Sequence, residues 1–179
     1  MTELRESGGV RQEPRASSLP LRLADLIRPE YLRVMDSAAD RESAVRVLAD
    51  ALLANGAVHP DFGIRVLERE REFPTGLPTP GVKVALPHTD AQWVNESAVA
   101  VGILHRPVTF HVMGDPSNTV DVQVIFLLAI QQQDKQAEML SQVVELVQDV
   151  AFLEGLVAAS SGGQAYQLIQ HRLGPGPTP

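Results

Sequence analysis

Reactive side chains are few in this 179-residue chain: it has five histidines and no cysteine. Disulfides, thiolate metal sites, cysteine nucleophiles and thiol redox chemistry are therefore excluded. The histidine in the most telling setting is His88, in "GVKVALPHTD", residues 81–90. It follows an apolar, strand-like run and a proline that fixes the backbone at the strand's exit. Thr89, next to it, can hydrogen-bond an imidazole nitrogen or a phosphate oxygen. In open α/β sheets, reactive groups collect just beyond strand ends. Neutral imidazole is a competent nucleophile near pH 7 and needs no metal. A capped strand end with an idle histidine explains the same spacing, so the residues alone leave both readings open.

The other histidines have structural explanations. His59 precedes a helix, and His171 falls in a last helical turn, where a cation suits the dipole. His105 and His111 flank one strand-like segment, and their even spacing of six puts them on one face. Two such residues are a weak metal signal, and no metal site is expected. There is no G-x-S-x-G elbow and no H-E-x-x-H. "GLPTPGVK" misses a phosphate-cradling P-loop: Val82 intrudes before Lys83, no Ser or Thr follows, and a strand comes next where a helix should.

The elements that must position His88 can be read from periodicity. Asp40 reads as an N-cap ahead of a helix carrying Val45, Leu48 and Leu52, which ends at Gly56. A second helix after Pro60 carries Ile64, Val66 and Leu67 into the charged run "EREREF". Pro74 to Gly81 reads as a rigid loop. Residues 21–34 are ambiguous between short helix and strand. Val82–Leu86, Ala98–Leu104 and Val108–Val112 read as short strands. "TVDVQVIFLLAI" alternates and then turns fully apolar from Ile125 to Ile130, as expected of a central strand covered on both faces. A helix from about Asp134 carries Leu140, Val143, Val144 and Val147, and two more span Asp149–Ala159 and Gln164–Arg172. The whole predicts a single α/β domain over residues 19–173, with a mixed, mostly parallel sheet sandwiched between helices. Residues 1–18 read as a disordered arm and residues 174–179 as a flexible tail.

The formal net charge of −7, without a basic cluster, argues against nucleic acid and anionic membrane surfaces as partners. No apolar run approaches a membrane span and no secretion-signal core is visible, so the expected compartment is the cytoplasm.

Taken together, "REREFPTGLPTPGVKVALPHTD", "RPVTFHVMGDPSNTVDVQVIFLLAI" and "KQAEMLSQVVELVQD" resemble the enzyme IIA components of the bacterial phosphoenolpyruvate-dependent sugar phosphotransferase system. The class is the fructose/mannitol one, closest to the galactitol type. The resemblance covers about Leu21 to Leu173. It implies that His88 takes a phosphoryl group from the phosphohistidine of the carrier protein HPr. His88 then passes the group to a cysteine of an enzyme IIB that serves a membrane-embedded enzyme IIC. No cofactor and no metal are implied at this step. An arginine upstream of Thr75-Gly76 should compensate phosphoryl charge: Arg69 matches the family pattern and Arg71 is the fallback. Thr89, Thr75 and Gln136 are the implied secondary phosphate contacts. Many members carry a second histidine where this chain has Gln136, which can donate a hydrogen bond but cannot carry a proton. Some relatives, such as the nitrogen-related enzyme IIA, keep the histidine but act by binding other proteins. A phosphorylation-dependent regulatory role is thus the alternative to transport.

Overall fold

The computed structural model describes residues 20–175. The expected arm and residues 176–179 of the expected tail lie outside them. The chain opens with a one-turn helix, α1 (Leu23–Leu26), and a 3-10 turn over Pro29–Tyr31, which feed strand β1 (Leu32–Met35). The ambiguous segment thus contains both helix and strand. Helix α2 (Arg41–Ala54) starts as expected: the Asp40 carboxylate accepts the Ser43 N–H and fills one orphan donor. Gly56, at φ 73°, takes the left-handed conformation that stops the helix. Helix α3 (Phe62–Glu72) follows. Its buried residues are Phe62, Val66, Leu67 and Glu70, whereas Ile64, expected inside, is 49% exposed.

The stretch predicted to be all loop contains a short strand, β2 (Gly76–Leu77), antiparallel to β3 (Lys83–Ala85). Gly76 is required there. A Cβ at this position would lie 2.5 Å from the His111 carbonyl, so only glycine lets β2 touch the next strand. That strand is β4 (Ala98–Val112), which joins the two segments expected to be separate into one fifteen-residue element. It turns at Gly114 into β5 (Asp115–Ala129), its antiparallel partner. The ladder steps from Ile103↔Val124 to Val108↔Val122, five residues on β4 against two on β5. This bulge bends the hairpin and breaks the alternation that a shared face for His105 and His111 requires.

Three of the five strand pairings are parallel: β1 and β2 with β4, and β3 with β5. Helices α4 (Gln136–Leu146), α5 (Val150–Val157) and α6 (Gly162–Leu173) complete the chain, the last two capped by Asp149 and Ser161. Val144 of α4, expected inside, is 41% exposed.

The apolar end of β5 explains the layering. Ile125, Leu127 and Ala129 join a core with Val45, Leu48 and Leu52 of α2 and Val66 of α3. Phe126, Leu128 and Ile130 join the opposite core with Met139 and Val143 of α4, Leu153 of α5 and Ile169 of α6. Period-two alternation between two covered faces is what a continuous apolar strand requires. The architecture is therefore a mixed sheet between two helical layers.

Candidate active site

Strand β3 ends at Ala85, and the two residues that follow are held from both sides. The Leu86 N–H reaches Thr75, with its carbonyl at 3.3 Å and its Oγ1 at 3.2 Å. The Pro87 carbonyl accepts the Leu128 N–H at 3.0 Å, and His88 bridges in parallel to Leu128 of β5. His88 is therefore anchored to the central strand and partly buried, just past a strand end. Its Nδ1 lies 2.8 Å from the Leu86 carbonyl oxygen. A carbonyl can only accept, so Nδ1 carries the proton in the neutral ring and Nε2 holds the lone pair. Among the described residues Nε2 has no hydrogen-bond partner, and it is not among the polar atoms sealed from solvent.

Burial pushes the His88 ring below its ordinary proton affinity. The Leu86 carbonyl and Asp90 oppose this, and Arg69 adds to it. The ring is thus mainly neutral, and so nucleophilic, near pH 7. Arg69, in the last turn of α3, stands 3.5 Å from Asp90 through Nη1, and its guanidinium lies 5.6 Å from the centre of the Phe73 ring. Its Nε is sealed from solvent without a partner, an unmet donor in the guanidinium that acts on His88. Arg69, Asp90, Thr89, Phe73 and Trp93 line an open groove of about 310 Å³.

Arg71 is placed elsewhere. Its guanidinium makes two hydrogen bonds to Glu42 Oε1 of α2, at 2.8 and 3.2 Å. Residues two apart on a helix face different directions, so α3 can send only one of its two arginines toward His88.

The threonine and glutamine positions also sort differently from expectation. Thr75 is buried and its hydroxyl donates to Glu70 Oε2 at 2.7 Å, so that proton is not free for a phosphate. Thr89 is buried at the edge of the groove, and its carbonyl accepts from Gln136 Nε2 at 2.9 Å. The Gln136 oxygen accepts from Gln133 Nε2 at 3.3 Å. Gln136 therefore ties α4 to the loop after His88, with both ends of its amide occupied.

Glu70 went unnoticed in the sequence, hidden in a run of alternating charges. It is 3% exposed, and its carboxylate takes both the Thr75 N–H at 2.9 Å and the Thr75 hydroxyl. Burial raises it to about 6. Helical spacing contained the signal: Phe62, Val66 and Glu70 repeat every fourth residue on the inward stripe. Among the described residues no three His, Asp or Glu side chains converge as metal ligands. No helix there is long and apolar enough to cross a membrane.

The site is thus a histidine presented past a sheet strand, with one ring nitrogen open and the charge of Arg69 felt at the ring. Residues 25–172 match the family "Phosphoenolpyruvate-dependent sugar phosphotransferase system, EIIA 2", and the chain belongs to that family. Over 127 residues it is 27% identical to the galactitol-specific EIIA component of Escherichia coli, covering 71% of this chain and 84% of that one. It is 25% identical over 130 residues to the transcriptional regulator ManR of Bacillus subtilis, covering 72% of this chain. It spans under a fifth of ManR's length, and likewise of the matched multiphosphoryl transfer proteins. The fold is shared with enzyme IIA-mannitol of E. coli, solved in complex with phosphorylated enzyme IIB-mannitol. The TM-score is 0.67 at 20% identity, over 82% of this chain and 99% of that one.

Proposed function

We propose that this chain carries a phosphoryl group on Nε2 of His88, in a system that imports a sugar or sugar alcohol of the galactitol kind. The observation that carries the reading is the 2.8 Å contact of Nδ1 with the Leu86 oxygen, which leaves Nε2 as the attacking nitrogen. The phosphohistidine of HPr is the donor: its N–P bond breaks as the Nε2–P bond forms. The ring keeps its Nδ1 proton and becomes cationic, and the Leu86 carbonyl stabilises that charge. The thiolate of an enzyme IIB cysteine then takes the phosphoryl group and the ring returns to neutrality. Arg69 answers the charge on the equatorial phosphoryl oxygens, exchanging part of its pairing with Asp90 for them. Thr89 lines the same groove as Arg69 and Asp90, which supports a secondary contact from it. The step needs in-line placement and charge compensation more than covalent work by the protein. The complex solved for the mannitol relative supports an enzyme IIB as the acceptor.

The test is incubation with phosphoenolpyruvate, enzyme I and HPr. One acid-labile phosphoryl group per chain, mapped to His88, is expected, followed by its loss to an enzyme IIB. Phosphate found in His88→Ala protein would overturn the assignment. The match to ManR favours a second reading, in which the phosphorylation state of His88 controls binding to another protein. Phosphorylation by HPr without onward transfer to any enzyme IIB would select it.

A further inference from the structure

His88 is aimed by a carbonyl, and that carbonyl belongs to a residue tied to a buried acid. The Glu70 carboxylate accepts the Thr75 hydroxyl at 2.7 Å, the Leu86 N–H is shared between Thr75 Oγ1 at 3.2 Å and the Thr75 carbonyl at 3.3 Å, and the Leu86 carbonyl accepts the Nδ1 proton at 2.8 Å. On the other side the Pro87 carbonyl is held by Leu128 of β5. We propose that Glu70 and Thr75 are positioning residues for His88: through the Leu86 backbone they hold the ring in the one orientation and tautomer that leaves Nε2 open. This rests on the reading of His88 as phosphoryl acceptor.

Three observations support it. A glutamate 3% exposed on an otherwise apolar helix stripe is costly, and an apolar side chain there would be cheaper for the fold alone. Its carboxylate spans Thr75 through both of that residue's donors, fixing it in two directions. The Leu86 N–H and C=O lie on adjacent peptide units, so the link across Leu86 is mechanical: it fixes where the carbonyl points. Pro87, with its φ locked, limits the remaining freedom. The charged groups facing this chain are Arg41 toward Glu70, and Arg69 and Asp90 toward His88. Protonation of Glu70 turns one acceptor oxygen into a hydroxyl and replaces one of the two charge-assisted holds on Thr75 by a weaker neutral one.

The experiment uses the full chain and its Glu70→Gln, Thr75→Val and Thr75→Ser variants. Ring ¹⁵N shifts of His88 report the tautomer, and single-turnover transfer from phospho-HPr reports the rate. In the unaltered protein the Nδ1–H tautomer should dominate. Thr75→Val and Glu70→Gln should mix in the other tautomer. They should slow transfer at saturating donor by about tenfold, with KM for phospho-HPr unchanged. Thr75→Ser should restore both readings. Folded Thr75→Val protein with the original tautomer and rate would overturn the proposal. If neither variant folds, the unaltered protein decides: the His88 ring shifts must follow the ¹³C titration of the Glu70 carboxyl, and independence of the two overturns it. Should the unaltered protein accept no phosphate, the function proposed for His88 fails, while the tautomer measurement still decides the positioning.

Discussion

His88, bridged to the end of β5, and His105, in the middle of β4, meet opposite surroundings. His105, on β4, has acceptors on both ring nitrogens: Asp36 on Nδ1 and the Ala159 carbonyl on Nε2, each at 3.2 Å. A neutral ring has one N–H and can satisfy only one of them. The cation satisfies both, and the Asp36 and Ala159 bonds raise its proton affinity. His88 has one acceptor and one open nitrogen, and burial lowers its proton affinity. The number of acceptors around an imidazole thus decides its role. Two favour the cation and make a clamp, which here ties β4 to Asp36 just after β1 and to Ala159 just after α5. One makes an aimed nucleophile.

The largest expected effect comes from deleting each ring. His88→Ala should lower phosphoryl incorporation by more than about 10³-fold, read by phosphate labelling. His105→Ala should leave the transfer rate unchanged, and a matching loss there would erase the contrast. The arginines of α3 repeat the comparison on a smaller scale. Arg69→Gln should slow single-turnover transfer by about 10²-fold, the usual cost of removing a group that answers transition-state charge. Arg71→Gln breaks only a half-exposed pair with Glu42, and should change the rate by less than about twofold.

How much of this was legible in the chain differs by element. Strong one-period signals survived: the capped helix from Asp40, the two-faced apolar strand and the placement of His88 beyond a strand all appear in the structure. What failed depended on partners distant in sequence. Two predicted strands are one because a bulge carries β4 past "HRP", and a bulge has no local pattern. Strand β2 exists because Gly76 lets it reach His111, a contact thirty-five positions away. At the site, the family resemblance named Arg69 first and Arg71 as fallback, and only tertiary contact revealed Arg71 drawn off to α2 and Thr75 bonded to a buried Glu70. Charge runs look solvated in sequence, and the fourth-residue repeat that marked Glu70 was masked by its neighbours.

A middle-sized effect separates the buried acid from the exposed ones. Glu70 rises from 4.5 to about 6 in the folded chain. Between those values the native state binds more protons than the unfolded state, so stability falls as pH rises through that window. The stabilising contribution is complete below pH 4.5 and lost above about pH 6, and amounts to about 2 kcal/mol. Denaturant midpoints across this range should show the fall, and Glu70→Gln should remove it. Asp149, whose Phe152 N–H and Arg172 bonds lower its proton affinity, acts in the reverse sense: its contribution is lost only as the solution becomes strongly acidic.

The smallest effect is the most direct reading of the two rings. Followed by NMR, His105 should titrate above 6.5 and His88 below it. The signs for stability then differ. The raised His105 contributes stability that is present below 6.5 and fades as pH climbs through its folded value. The lowered His88 contributes above 6.5, and that part is lost as pH drops through its folded value. The two windows lie on opposite sides of 6.5, so these two rings together favour a stability maximum near that pH, with the His88 part lost below it and the His105 part lost above it. Replacing Asp36 with Asn swaps the charged acceptor on His105 for a neutral amide oxygen and should bring its midpoint back toward 6.5 while leaving His88 untouched. If both midpoints moved together, the rings would not be independent, and the division into clamp and nucleophile would have to be given up.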